Sequence, residues 1–236
     1  MYNENYAYVC GKLNVKDMYA TISADIVSST SLSEVETIEL KQYIEEQLKI
    51  LETSYPNFWG RLIKGDYIEC VIPDASNAFR IALIIKNSIK AFKVNKTADS
   101  KPFYTYGARI AIGIGNMRIV DREQGIMDGE AIYLSGRSIT KLGSLNKGAL
   151  TIETVNVNLS QSLRVIAVLT DAILNDATPK QSQVIYYKLL GYKESEIAEK
   201  MKIYQSGVNN HSSSAKWYCI EEALNYFEQI KFEDYE

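Results

Sequence analysis

The sequence predicts an α+β protein: a ferredoxin-like β-α-β-β-α-β arrangement followed by an all-α segment. Three observations predict it. Short runs rich in β-branched and aromatic residues alternate with helix-period segments through the first two thirds of the chain. Lys64-Gly65-Asp66 separates two apolar runs and reads as a hairpin turn, with Gly65 permitting the tight bend. From Asn158 onward the periodicity is helical only. The expected organisation is an α+β domain over 1–157, a linker helix over 158–177 and a helical domain over 178–236.

Taken in order, residues 1–17 read as an irregular or edge-strand extension. Tyr19 to Ala24 is a buried strand without Gly or Pro, ending at Asp25. Ser28, Ser29 and Thr30 supply cap-type side chains for the next helix. That helix, Leu32 to Ser54, turns Leu32, Val35, Ile38, Tyr43, Leu48 and Leu51 inward against a Glu-rich outer face. Phe58 to Ile63 and Tyr67 to Ile72 form the hairpin. Pro73-Asp74 starts a second helix with Phe79, Leu83, Ile84, Ile89 and Phe92 inward. Tyr104 to Gly115 is a strand whose small residues (Gly107, Ala108, Ala111, Gly113, Gly115) suit close packing under a helix. Met117 to Val120 is expected to pair with it. Ala131 to Leu142 is a third helix and Ala149 to Glu153 a closing strand, with the helices expected on one sheet face.

Composition narrows the function. The 236 residues carry 26 basic and 29 acidic side chains, so a generally basic nucleic-acid coat is excluded and any such surface is local. Cys10, Cys70 and Cys219 share no close spacing and His211 is the only histidine, which leaves no zinc site and no disulfide framework. The N-terminus has neither basic flank nor apolar run, and no window reaches the roughly 20 apolar residues of a membrane span. These features predict a cytoplasmic protein that does not engage membrane.

Two acidic residues carry the first candidate site. Asp25 ends a strand beside a helix N-terminus, where a carboxylate can hold a hard cation while free N–H groups hold phosphate. A plain helix-capping Asp is the alternative. Asp66 sits at the hairpin tip, and if the hairpin lies beside the first strand the two carboxylates converge; they repel unless a divalent ion lies between them. The Asp-Ile-Val-x-Ser-Thr turn and the Gly-Asp hairpin resemble the metal-binding halves of a class III nucleotide cyclase domain. The resemblance implies Mg²⁺ or Mn²⁺ at Asp25, the Ile26 carbonyl and Asp66. It also implies a nucleoside triphosphate or other nucleotide whose phosphates meet Ser28, Ser29 and Thr30. Gly129 to Arg137 is similar to that class's Gly-x-x-Val-Asn-x-Ala-x-Arg helix, which implies catalytic roles for Arg137 and Tyr133. Tyr133 stands where the class has Asn, and Lys64 and Asp128 do not align with its purine-selecting pair. Preorganised donors of this kind are each worth on the order of 100-fold. A helix arginine paired to a core-edge carboxylate is the other reading of Arg137.

The second candidate site lies near the C-terminus. Asn158 to Asn175 is an amphipathic helix (Leu159, Leu163, Ile166, Leu169, Ile173) joining the two bodies. Thr178-Pro179 then supplies an N-cap and a first-turn proline. Glu194 to Met201, the turn Lys202-Ile203-Tyr204, and Gln205 to His211 follow a helix-turn-helix pattern, with Ala198, Ile203 and Val208 as its anchors. With Val208, Ser212, Ala215 and Cys219 inward, Gln205, Ser206, Asn209, Asn210 and Ser213 face out, where amides suit adenine edges. Lys216 is placed for a phosphate. Residues 178–217 hold six lysines against three glutamates. A three-helix bundle for protein contact is the alternative. The run resembles the helix-turn-helix of LuxR-type regulators and sigma-factor region four. His211 contributes hydrogen bonding or packing. Trp217, Ile220, Leu224 and Phe227 form a last stripe, either core or a dimer seam.

Over nearly its full length the chain resembles the SatD-like family, a cyclase-like domain fused to such a helix-turn-helix. The leading expectation is a homodimeric transcriptional regulator binding double-stranded DNA, with a nucleotide-binding or degenerate N-terminal domain. An active nucleotidyl cyclase and a protein-assembly module without DNA are the alternatives.

Overall fold

The computed structural model describes residues 18–27, 32–63, 65–92, 107–145 and 148–235. The N-terminal extension, the first three residues of the strand expected from Tyr104, and Ser28, Ser29 and Thr30 lie outside them. Seven strands and eight α-helices are described: β1 (Tyr19–Ile26), α1 (Glu34–Ser54), β2 (Trp59–Ile63), β3 (Tyr67–Ile72), α2 (Ala78–Ala91), β4 (Ala108–Gly115), β5 (Met117–Asp121), β6 (Ile126–Gly129), α3 (Glu130–Leu145), β7 (Leu150–Thr154), α4 (Val157–Asp176), α5 (Pro179–Leu189), α6 (Glu194–Met201), α7 (Gln205–Ser214) and α8 (Trp217–Glu228).

The fold is α+β around a mixed five-stranded sheet in the order β2-β3-β1-β4-β7. All neighbours are antiparallel except β4 and β7. The pleat sorts β1 by parity. Ala20, Ile22, Ala24 and Ile26 enter the main core with α1 and α2, while Thr21 and Ser23 meet α3. The helices therefore lie on both faces, not on one as the sequence suggested. The α3 face is unusually polar. Thr21 Oγ1 donates to the Ala131 carbonyl at 2.8 Å and lies 2.9 Å from Ser135 Oγ, so a strand pattern sought by hydrophobicity carries no sign of it. Gly113 makes the close approach possible, since a Cβ there would sit 2.2 Å from the Ala131 oxygen.

Met117 to Asp121 does not join β4. It pairs with β6 as a separate two-stranded hairpin, whose turn at Gly125 reaches the Arg61 guanidinium and whose Arg122 donates to the Asn57 carbonyl at 2.6 Å. α1 starts two residues later than expected, capped by a Ser33–Glu36 capping box. Its buried stripe is Leu40, Ile44, Leu48 and Leu51, and Val35 and Ile38 are exposed because the first turns overhang the core.

The apolar core runs unbroken from the sheet through α4, α5 and α8. Phe79 of α2 packs against Phe227 of α8 with ring centroids 5.3 Å apart, Arg80 Nε bonds Glu228 at 2.6 Å, and Tyr186 of α5 donates to Gln47 of α1 at 2.6 Å. The last stripe is core: Ile220, Leu224 and Phe227 are fully buried in their own chain. By length and composition α4 reaches what a membrane span needs, contrary to the sequence reading. Leu159, Leu163, Ala167 and Leu174 nevertheless hold its inner side in the core.

Charge also enters this core. Lys86 of α2 faces Asp171 of α4 at 3.2 Å, and both side chains are almost wholly buried. One turn on, Lys90 donates to the Leu174 and Asn175 carbonyls at 2.6 and 2.8 Å, closing the C-terminal end of α4. Burial first, and the neighbouring Lys86 charge second, push Lys90 down to about 8. A lysine depressed by folding leaves the unfolded chain holding more protons between its folded and unfolded values. Unfolding free energy should therefore rise with pH from about 8 toward 10 through this group. In urea titrations, Lys90→Met should show a smaller rise, the remainder coming from the likewise depressed Lys86; an identical pH profile in both proteins would contradict it.

Candidate functional site

β1 delivers Asp25 to the open end of the sheet, where register sets it opposite Arg109 of β4 on one side and Tyr67 of β3 on the other. Cross-strand neighbours share a face. Arg109 Nη2 therefore reaches Asp25 Oδ2 at 2.5 Å, with both side chains about 30% exposed. Arg109 Nη1 points toward the Gly143 carbonyl of α3 at 3.5 Å, while its Nε is buried without a hydrogen bond. Sequence reasoning missed Arg109. The available signal was one charge among the small and apolar residues of β4, but its partner is set by strand register.

The hairpin brings Asp66 alongside. Its carbonyl accepts from the Ile26 N–H at 3.0 Å, so the backbones of the two expected acidic positions are immediate neighbours. Gly65 supplies the turn at φ +90°, a value disfavoured for other residues, and the Lys41 ammonium fills the space a Cβ would take, 2.5 Å away. Two carboxylates and a carbonyl are the hard oxygen donors that Mg²⁺ or Mn²⁺ takes. Arg109 engages Asp25 through Oδ2. Among the described residues no group of three or more His, Cys, Asp or Glu converges.

Tyr133 and Arg137 lie elsewhere. Ala131 and Ser135 turn toward the sheet, which leaves Tyr133 and Arg137 on the solvent side of α3. Gly143, not Arg137, approaches the Asp25–Arg109 pair. Tyr133 donates to Asp128 Oδ1 at 2.6 Å, and Asp128 also pairs with Arg118. The Tyr133 hydrogen bond first, and Arg118 second, hold the Asp128 carboxyl below its usual range; the same bond raises the Tyr133 phenol. Arg137 sits 6.0 Å over the Tyr133 ring rather than against a carboxylate. Within one chain these residues are not brought to the Asp25–Asp66 end.

At the other site, α6 ends on Lys202 with φ +54°, and the Ile203 N–H returns to the Ala198 carbonyl at 3.0 Å. The chain thus turns sharply into α7. Val184, Ile197, Ala198 and Val208 form a small separate apolar cluster, with Met201 and Ile203 packed on it. Val208, Ser212 and Ala215 are buried, and Gln205, Ser206, Asn209, Asn210, Ser213 and Lys216 are all exposed. His211 is half-buried. Of the six lysines in this region, Lys188 pairs with Glu194 at 3.0 Å and Lys200 lies 4.6 Å over the Tyr192 ring. Lys180, Lys193, Lys202 and Lys216 are exposed. A Cβ at Gly207 would meet Ile203 no closer than 3.7 Å, an ordinary contact. Gly207→Ala should therefore stabilise the protein by about 0.4–1 kcal/mol, read from its urea midpoint.

No family model and no curated protein matches the chain. Among solved structures it is similar to a bacterial light-regulated adenylyl cyclase, with a TM-score of 0.42 and 16% identity over 58% of this chain and 75% of that one. That likeness is too loose to carry residue roles across.

Proposed function

We propose that the chain is a DNA-binding regulator in which α6, the turn at 202–204 and α7 act as a helix-turn-helix. The observation that carries this reading is the exposed polar face of α7, presented by a helix whose other side is anchored by Val208 and Ser212. Amide side chains such as those of the exposed Asn209 and Asn210 can bridge adenine N6 and N7 in a major groove, and Lys216 suits a phosphate. The local excess of lysine in an acidic chain would supply the salt-dependent part of affinity.

The N-terminal body is read as a ferredoxin-like, cyclase-like domain, supported by the order β4-β1-β3-β2 with α1 and α2 on one face. It would bind a nucleotide with Mg²⁺ or Mn²⁺ through Asp25, the Ile26 carbonyl and Asp66, the ion neutralising phosphate charge. Because α5 and α8 share the body's core, a ligand would act by favouring one arrangement of two copies over another, through different affinity for each. Selecting genomic fragments with purified protein tests the reading. Duplexes should be enriched, and the enrichment should be lost in Asn209→Ala with Asn210→Ala. No salt-dependent retention of any duplex would favour an assembly module without DNA.

A second reading, a metal-dependent nucleotidyl cyclase, is favoured by one observation: the Asp66 carbonyl accepts from the N–H of Ile26, the residue next to Asp25. Incubation with each nucleoside triphosphate and Mg²⁺ or Mn²⁺ tests it. Cyclic product that vanishes in Asp25→Ala and in Asp66→Ala would establish it.

A further inference from the structure

α4 has two faces, and only one is accounted for by the fold. Leu159, Leu163, Ala167, Thr170, Asp171 and Leu174 are buried. On the opposite side Val157, Val165, Val168 and Leu169 are 66, 58, 59 and 62% exposed. Val165, Val168, Leu169 and the exposed Ala172 fall within roughly 100° of arc at 3.6 residues per turn. The other exposed positions of this helix are Asn158, Gln161, Ser162, Asn175 and Asp176, so the only charges near this face are Asp176 at the last residue and Arg164 at the edge, whose side chain is 40% exposed. A solvated helix face does not look like this. α1 carries Glu34, Glu45, Glu46 and Lys49 among its exposed positions.

The seam runs Asn158, Gln161, Val165, Val168, Ala172, Asn175, alternating steps of three and four, the spacing by which helices pair. It is also complementary to its own reverse. About a two-fold axis between residues 166 and 167, Val165 meets Val168, Gln161 meets Ala172, and Asn158 meets Asn175. Ala172 permits close approach, the amides meet at the ends, and no like charges oppose. We propose that α4 pairs antiparallel with α4 of a second copy of this chain. A membrane surface fits the same face less well. Membrane-lying helices carry basic residues on their polar side; here the one basic residue is Arg164, already 3.4 Å from Glu153.

The seam spans about 26 Å of helix from Asn158 to Asn175 and falls short of the roughly 800 Å² per partner of a standard interface, so the dimer is concentration-dependent. Antiparallel pairing sets the two Asp176 ends about 30 Å apart, comparable with one DNA turn of roughly 34 Å. The pairing itself does not rest on the DNA reading and can be measured without DNA.

Sedimentation velocity on the full chain from 1 to 100 µM (roughly the range for weak dimers) tests it. The wild type should pass from monomer to dimer. Val165→Glu with Val168→Glu should raise Kd on the order of 100-fold, because like charges would face across the axis. Val165→Lys with Val168→Glu should restore the dimer, since each lysine then meets the partner's glutamate, and circular dichroism should show all three equally folded. A wild type that stays monomeric, a dimer indifferent to both pairs, or no restoration by the charge-swapped pair would overturn the proposal. So would retention on phosphatidylglycerol vesicles lost in the same double-glutamate variant. Dimerisation without DNA binding would leave the proposal standing and remove only the regulator reading.

Discussion

Asp171→Ala should lower the unfolding free energy by about 3–5 kcal/mol, because it strands a charge inside the protein. Lys86 is almost fully buried, and its neighbours are the Ala108 carbonyl at 3.1 Å and Asp171 Oδ1 at 3.2 Å. The contact is first one of charge. Burial already pushes the Lys86 ammonium below its ordinary range, with Asp171 acting against the shift. Removing Asp171 takes away the opposing charge and leaves Lys86 to lose its proton or draw in water. The substitution also removes the Oδ2 acceptor of the Ala149 N–H, a 2.6 Å bond that anchors the start of β7. Replacing both partners, Lys86→Met with Asp171→Leu, should recover the part of the loss due to the stranded charge, since a buried pair exchanged for apolar side chains is often neutral, but not the part due to the Ala149 N–H. Urea titration of the three variants measures this; equal losses in the single and double variants would refute it.

Phe227→Ala should cost a similar 3–5 kcal/mol, and the loss should be felt at both ends of the chain. Phe227 is fully buried, with ring centroids 5.3 Å from Phe79 of α2 and 5.3 Å from Phe232. The cavity opens where the C-terminal helices rest on the helix layer of the sheet. The chain has two tryptophans, Trp59 in β2 and Trp217 in α8. Trp59→Phe and Trp217→Phe each leave one reporter. With a shared core, both reporters should give coincident unfolding transitions, shifted together by Phe227→Ala. A shift seen by Trp217 alone would mean the C-terminal helices melt as an independent body.

Much of the architecture can be read from the sequence because it is locally encoded. The hairpin around Gly65-Asp66 and the Thr178 cap with Pro179 declare themselves within a few residues, and each lies where the pattern sets it. The inward and outward sides of α7 are equally legible, since Val208, Ser212 and Ala215 keep helical spacing. What escapes is set by partners remote in sequence. A stripe search chooses Leu169 for the inner side of α4 and passes over Asp171, yet Leu169 is exposed and Asp171 is buried against Lys86. The α3 face of β1 is held by hydroxyl contacts to Ser135, more than a hundred residues away. β5 turns to β6 instead of β4 because β4 already has β1 and β7 on its two edges. At the Asp25 end, the acidic positions are legible and Arg109 is not, because strand pairing alone sets it opposite Asp25.

The claim that α7 offers amide side chains to duplex DNA is tested most directly by anisotropy titration of a selected duplex and a scrambled one at several salt concentrations. Asn210→Ala should weaken the selected duplex by roughly 10- to 100-fold and leave the scrambled one unchanged. Lys216→Ala should weaken both alike and lower the salt slope by about one. Equal affinity of wild type and Asn210→Ala for the two duplexes, or no binding at low salt, would contradict the account.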